Sequence, residues 1–195
     1  LPLHPSPKYK SPHEISEALL QKMSCLKKAN TSLATFKIPT PPPRVSAGLT
    51  LVVDALRDPG NLGTIIRLCD WFGVTQLVCS RDTVDCYNPK VVQASMGSIA
   101  RVCIHYLEID HYLQQSKLPI YTAIMDGENV YETTLASDAI LIVGNEANGV
   151  SQKIKALSSN LIAIPQYGKV HATESLNVAT ATAILLSEFA RTTGR

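Results

Sequence analysis

The chain has 195 residues, 45% of them hydrophobic and 17% charged, with a mean hydropathy of +0.07. That suits one α/β domain with a modest extension and excludes a broadly disordered chain. The formal charge of +2 is unevenly placed: residues 1–46 carry seven Lys or Arg against two Glu, a local +5, which leaves −3 for the remainder. The basic quarter could attract a polyanion or could simply be a solvated face. The acidic remainder excludes binding such a partner through overall charge, so a local patch would be needed. No apolar run reaches the ~20 residues that span a bilayer, and LPLHPSPKYKSP lacks the apolar centre of a secretory signal. No membrane association and a cytoplasmic location are therefore expected. Cys25, Cys69, Cys79, Cys86 and Cys103 are odd in number and show no CxxC spacing, so buried free thiols and no metal site are expected.

In chain order, four prolines among residues 2–12 read as extended chain. Ser11, Pro12 and Glu14 resemble a helix start, and Ile15, Leu19, Leu20, Met23 and Leu26 have helical spacing that ends near Lys28. Pro39, Pro41, Pro42 and Pro43 make a stiff linker. The expected domains are 1–46, a basic helical segment with its linker, and 47–195. Strands are predicted at 49–53, 76–80, 101–106, 120–125, 139–144 and 161–165. Helices are predicted at 61–72, from Asn88 to near Gly97, and at 110–115, 151–158 and 176–191. Alternating β and α with continuous apolar strands predicts an α/β fold, a parallel sheet with helices on both faces. Ligands of such sheets sit beyond the carboxyl ends of the strands.

Three polar segments fall at those ends. In the first, Asn61 can satisfy open amides at a helix start, Gly63 permits close backbone approach, and Arg67 lies one turn on from Gly63. Alone, this also reads as a helix cap and a solvated arginine. In the second, Gly144, Asn145, Glu146 and Gly149 form a turn after a buried strand; it is neither a P-loop nor a GxGxxG loop. In the third, Ile164 and Pro165 leave a strand, and Ser175, Leu176 and Asn177 enter the last helix, where open amides can hold polar ligand atoms. Plain capping by Ser175 is the blander reading.

In this order, NxGxxxR (Asn61, Gly63, Arg67), GNExxG (Gly144, Asn145, Glu146, Gly149) and IP followed by SLN (Ile164, Pro165, Ser175, Leu176, Asn177) resemble the SpoU (TrmH-like) family of the SPOUT methyltransferases. The stretch 88–97 also resembles a family segment, and the resemblance covers roughly residues 47–191. It implies a C-terminal trefoil knot, an S-adenosylmethionine site in the knot, a homodimer, and methylation of a ribose 2′-hydroxyl in rRNA or tRNA. It also makes residues 1–46 the expected remnant of an RNA-recognition domain, in keeping with a chain that begins at Leu1 rather than Met. Gln166 stands where Met is common in the family, and Val170, His171, Ala172 and Thr173 lengthen the loop before Ser175.

The site residues implied are Arg67, Asn61, Glu146, Ser175 and Asn177 for catalysis. Thr122, Ala123, Gly144, Asn145, Ile164, Pro165 and Leu176 are implied for the cofactor, and Arg67, Lys90 and Ser95 for RNA. A guanidinium stays protonated, so Arg67 is expected to clamp a phosphate and to stabilise developing alkoxide charge rather than act as a base. His171 is a second candidate base or a solvated loop residue. The alternative reading is a catalytically inactive RNA-binding protein of the same fold.

Overall fold

The computed structural model describes residues 13–44, 47–145, 147–168 and 175–194, in two units, Leu1–Pro39 and Thr40–Arg195. The first unit holds α1 (Glu17–Met23). Of the helix expected to start at Ser11 and Pro12 and to end near Lys28, Glu17–Met23 is helical among the described residues, and Ser11 and Pro12 lie outside them. Ser16 makes the N-cap, its hydroxyl accepting from Leu19 N–H, and Ser24 ends the helix in an extended conformation. The Gln21 side chain then bonds to Leu26 and Ala29, which holds the following residues in a turn instead of further helix. No residue of α1 is buried.

In the second unit, strands β1 (Leu49–Val53), β2 (Gln76–Ser80), β3 (Cys103–Leu107), β4 (Ile120–Asn129), β5 (Ala139–Val143) and β6 (Asn160–Ala163) form one sheet in the order β3-β2-β1-β5-β4-β6. Every pairing is parallel. The helices are α2 (Pro59–Trp71), α3 (Pro89–Ala94), α4 (Ile109–Gln115), α5 (Gln152–Lys155) and α6 (Val178–Thr193). Both faces of the sheet are covered, which is why its central strands read as largely apolar runs. Leu51, Val53, Leu141 and Val143 pack with Leu62, Ile66, Leu185 and Phe189 of α2 and α6. Val52, Ile140 and Ile142 point the other way, onto Ile109, Leu113 and Ile154 of α4 and α5. Fully burying such side chains stabilises by about 1.5–3 kcal/mol each.

Several element ends differ from expectation, each for a local reason. Helix α2 begins at Pro59 because Asp58, not Asn61, is its N-cap. Helix α3 stops at Ala94 and α5 at Lys155. Strand β4 runs on to Asn129 through an irregularity in which Ala123 and Glu128 both pair with Ile162. Gly127 permits this, because a Cβ there would lie 2.5 Å from the Ile162 backbone. Of the cysteines, Cys69, Cys79 and Cys86 are buried free thiols, whereas Cys25 is exposed and Cys103 intermediate. Ala55 (φ 55°) and Met96 (φ 50°) are the non-glycine residues with positive φ among the described residues, a conformation that costs an L-residue about 1–2 kcal/mol.

Asp70 of α2 binds Arg101, with Nε 2.9 Å and Nη2 2.6 Å from Oδ2, and accepts from the Ser98 hydroxyl at 2.7 Å. These bonds, Arg101 foremost, hold the Asp70 carboxyl below the usual carboxylate range against an opposing desolvation. A lowered folded value means that the stabilisation is present above the unfolded carboxylate range and is lost as pH falls through the folded one. Asp70→Asn should therefore melt below the parent at pH 7, and the gap should narrow as the pH falls below the unfolded carboxylate range. Thermal melts across that interval check this; a gap independent of pH would refute it.

Candidate active site

The sheet order reverses between β1 and β5, so the crevice at their carboxyl ends is the expected ligand position. The segments of interest leave β1, β5 and β6 at this edge, and side chains stitch them together. Asn177 is the N-cap of α6, its Oδ1 accepting from Ala179 N–H (2.9 Å) and Thr180 N–H (3.2 Å). That capping fixes its amide group, and Nδ2 donates to Asn61 Oδ1 at 3.0 Å. Asn61 is available for this bond because Asp58 Oδ1 accepts its backbone N–H at 2.7 Å, relieving Asn61 of the capping role expected of it. The first and third segments, 116 residues apart at these positions, are thus joined directly.

The second segment meets the first through Asn145, whose Nδ2 donates to the Ala55 carbonyl at 2.7 Å. Its Oδ1 accepts from Ala147 N–H (2.7 Å) and Asn148 N–H (3.2 Å), and its backbone exchanges two hydrogen bonds with Gly149. The Asn145 side chain therefore shapes this loop. Asp54 adds a further tie by accepting from Ser151 N–H at 3.0 Å, ahead of α5. Gly144 lies so close to the loop's return that a Cβ would overlap the backbone of Gly149 and Val150. Its closeness seats the loop against the end of β5. Gly63 likewise permits a close approach, that of α3: a Cβ there would lie 2.5 Å from Ala94 Cβ and 2.7 Å from the Val91 carbonyl oxygen.

Arg67 is exposed on α2, one turn beyond Gly63, and makes no hydrogen bond or ion pair among the described residues. Ile164 and Pro165 are half-buried, Ser175 is exposed, and Leu176 is 48% exposed beside Asn177. Thr122 departs from expectation: it sits in mid-strand, fully buried, its hydroxyl 2.5 Å from that of Ser158, so its side chain does not face the edge. Ala123, half-buried at the β4 irregularity, is placed closer to the edge. Ser95 is also corrected. It is fully buried as the C-cap of α3 and donates to the Val92 carbonyl at 2.8 Å, out of reach of an RNA phosphate. Lys90 is exposed in the first turn of α3. Glu146 and His171 lie outside the described residues. Sequence reasoning missed Asp54 and Ala55, whose partners Ser151 and Asn145 come near only in the folded loops, so no residue spacing marks them; it also passed over Asp58, although an Asp before Pro59 at a helix start is a local capping signal.

The two bonds of Asn177 can be separated by mutation. Asn177→Asp keeps the capping oxygen and removes the donor to Asn61. It should hold stability within roughly 0.5 kcal/mol, since Asp and Asn cap equally well, yet lose most activity. Asn177→Ala should lose activity and about 1 kcal/mol of stability as well. Denaturant melts beside turnover rates make the test, and an Asp variant with full activity would refute it.

A parallel α/β domain with its loops joined at the switch point defines a ligand-binding class whose site is built from three distant segments. Residues 48–187 match the SpoU rRNA Methylase family, and the chain belongs to that family. It is 34% identical over 145 residues to the 23S rRNA (guanosine(2553)-2′-O)-methyltransferase RlmP of Bacillus subtilis, covering 72% of this chain and 57% of that protein. The chain thus spans little more than half the length of that relative. Among solved structures it is similar to a TrmH-family protein from Porphyromonas gingivalis (TM-score 0.83, 38% identity, 94% of this chain and 78% of the other). It is also similar to an AdoMet-bound rRNA methyltransferase from Sinorhizobium meliloti (TM-score 0.69, 28% identity, 75% and 57%).

Proposed function

We propose that this chain transfers a methyl group from S-adenosylmethionine to a ribose 2′-hydroxyl of ribosomal or transfer RNA. The observation that carries this is the meeting of the three family segments at one sheet edge, Asn177 bonding Asn61 directly and Asn145 bonding Ala55 on the loop that leads into the first segment. Family membership and the named relatives support the same activity.

The residues present fit the cofactor. Ile164, Pro165 and exposed Leu176 offer an apolar surface for an adenine, and the open loop ends at this edge offer backbone groups for a ribose and an amino acid. When bound, S-adenosylmethionine supplies an activated methyl group on a sulfonium. Ala123 and Gly144 would close the wall on the β4–β5 side. Arg67 would hold an RNA phosphate or the developing alkoxide with its guanidinium. The Asn61–Asn177 pair would hold α2 and α6 at a fixed spacing, so that Arg67 and Ser175 face one nucleotide; such positioning contributes several kcal/mol to catalysis. Glu146 belongs to this set by family resemblance. Lys90 and the lysines of residues 1–46 would add phosphate contacts, which position RNA without reading its sequence.

The knot, the homodimer, a cytoplasmic location and the RNA-recognition origin of residues 1–46 belong to this reading and rest on the family resemblance. Among the described residues no helix is long and apolar enough to cross a membrane. The test is incubation with methyl-labelled S-adenosylmethionine and unmodified rRNA or tRNA, followed by nuclease mapping. Label in 2′-O-methylribose at one position is expected. Cofactor binding without transfer to either RNA would favour the inactive RNA-binding protein instead.

A further inference from the structure

Ala55 lies two residues past β1 at the switch point, in a left-handed conformation that an alanine rarely adopts (φ 55°). Both of its backbone polar groups are held by side chains from other loops. Its N–H donates to Ser80 Oγ at 2.8 Å, and its carbonyl accepts from Asn145 Nδ2 at 2.7 Å. The next residue is held too, since Val84 N–H donates to the Leu56 carbonyl at 2.9 Å. Ser80 ends β2, lies outside all three family segments and is 8% exposed. Its single proton goes to Asp82 Oδ1 at 2.6 Å, so Thr83, 2.9 Å away, must donate to it. The Ser80 oxygen is thus fixed by two neighbours and aimed at the Ala55 amide.

We infer that Ser80 is a positioning residue for the methyl-transfer site, holding Ala55 left-handed so that its carbonyl meets Asn145 and seats the 145–149 loop against the start of α2. The chain of contacts is short: Ser80 to Ala55, Ala55 to Asn145, and Asn145 to the amides of Ala147 and Asn148. Three residues on from Ala55, Asp58 sets the start of α2 and with it Asn61. One strained corner therefore fixes the spacing between the first and second segments. Strain at a site persists only where its surroundings over-determine it, as two side chains and a backbone bond do here. Without the Ser80 hydroxyl, Ala55 is free to relax to a right-handed conformation, which turns its carbonyl away from Asn145. Glycine adopts positive φ with no such bias, so a glycine at this position would not need Ser80.

The inference rests on the proposed methyl transfer for its activity readout, and a second readout stands apart from it. With rRNA and tRNA transcripts and labelled cofactor, Ser80→Ala should lower kcat about tenfold, the equivalent of about 1.4 kcal/mol. In the Ala55→Gly background, the same Ser80→Ala change should lower it less than about threefold, or roughly 0.65 kcal/mol. Ser80→Thr, which keeps the hydroxyl, should stay close to the parent. Amide hydrogen exchange at Ala147 and Gly149 should speed up in Ser80→Ala and recover in the double variant, whether or not any RNA is methylated. A tenfold loss unchanged in the Ala55→Gly background, or exchange unmoved by Ser80→Ala, would overturn the inference. No transfer by the parent, with exchange behaving as stated, would overturn the proposed function and leave the positioning role standing.

Discussion

Arg67→Ala is expected to lower the single-turnover rate of methyl transfer by about 10²- to 10³-fold, the usual loss when one donor to a developing oxyanion is removed. Affinity for S-adenosylmethionine should stay within about threefold, since this would be a loss of transition-state contact and not of the cofactor wall. The structure favours so clean an effect. Arg67 is exposed on α2 and has no partner among the described residues, so its removal leaves no orphaned carboxylate behind. Alanine is also the best helix former, so α2 should not suffer. Arg67→Lys should recover little, because an ammonium lacks the planar fork of donors. Rapid-quench rates beside cofactor calorimetry measure both quantities. A rate within threefold of the parent would remove Arg67 from the chemistry.

The second large effect is expected at Gly144. A Cβ there overlaps the backbone of Gly149 and Val150, and backbone cannot swing aside as a flexible side chain can. Gly144→Ala must therefore open the 145–149 loop, breaking the paired bonds between Asn145 and Gly149 and pulling Asn145 from the Ala55 carbonyl. A stability loss of about 1–3 kcal/mol, typical of overpacking, should accompany a loss of activity of at least roughly 100-fold, the effect of misplacing a site by about 1 Å. Gly149→Ala is the control. Nothing lies within 4 Å of a Cβ at Gly149, and its φ of 63° is the only obstacle, so a loss of about 1 kcal/mol and partial activity should result. If the two alanine variants behave alike, the collision does not govern the loop.

The strands were legible because a parallel strand buried on both faces is apolar along most of its length, as Leu49–Val53 (but for Thr50) and Ala139–Val143 are. The far half of β4 was not, because Asp126, Gly127, Glu128 and Asn129 carry no apolar signal and are strand only through pairing with β6. Helix starts were misjudged where two capping residues competed: Asp58 displaced Asn61, and Asn177 rather than Ser175 caps α6. Those displacements matter, because they leave Asn61 and Asn177 to bond each other. The motifs could be read from spacing, but their meeting depends on the strand order, which no local pattern encodes. Thr122 and Ser95 differ for the complementary reason: family position places them near a ligand, whereas each hydroxyl faces inward to a neighbour in its own scaffold.

The strand order also governs how the domain is born. β1 pairs with β2 and, on its other side, with β5, where Leu49 meets Ala139 and Val53 meets Val143. At synthesis rates of about 5–20 residues per second, the β5 partner follows some 5–20 s behind β1. For that interval β3, β2 and β1 can associate as a half-sheet, but β1 is then an open edge with the apolar sequence LTLVV, the kind of strand that recruits other chains. Non-local parallel pairing of this kind closes slowly even in the finished chain. Fewer chains in synthesis at once should therefore raise the yield of folded protein more than any change at the carboxyl edge, since the vulnerable species is a nascent one that the native sheet later hides.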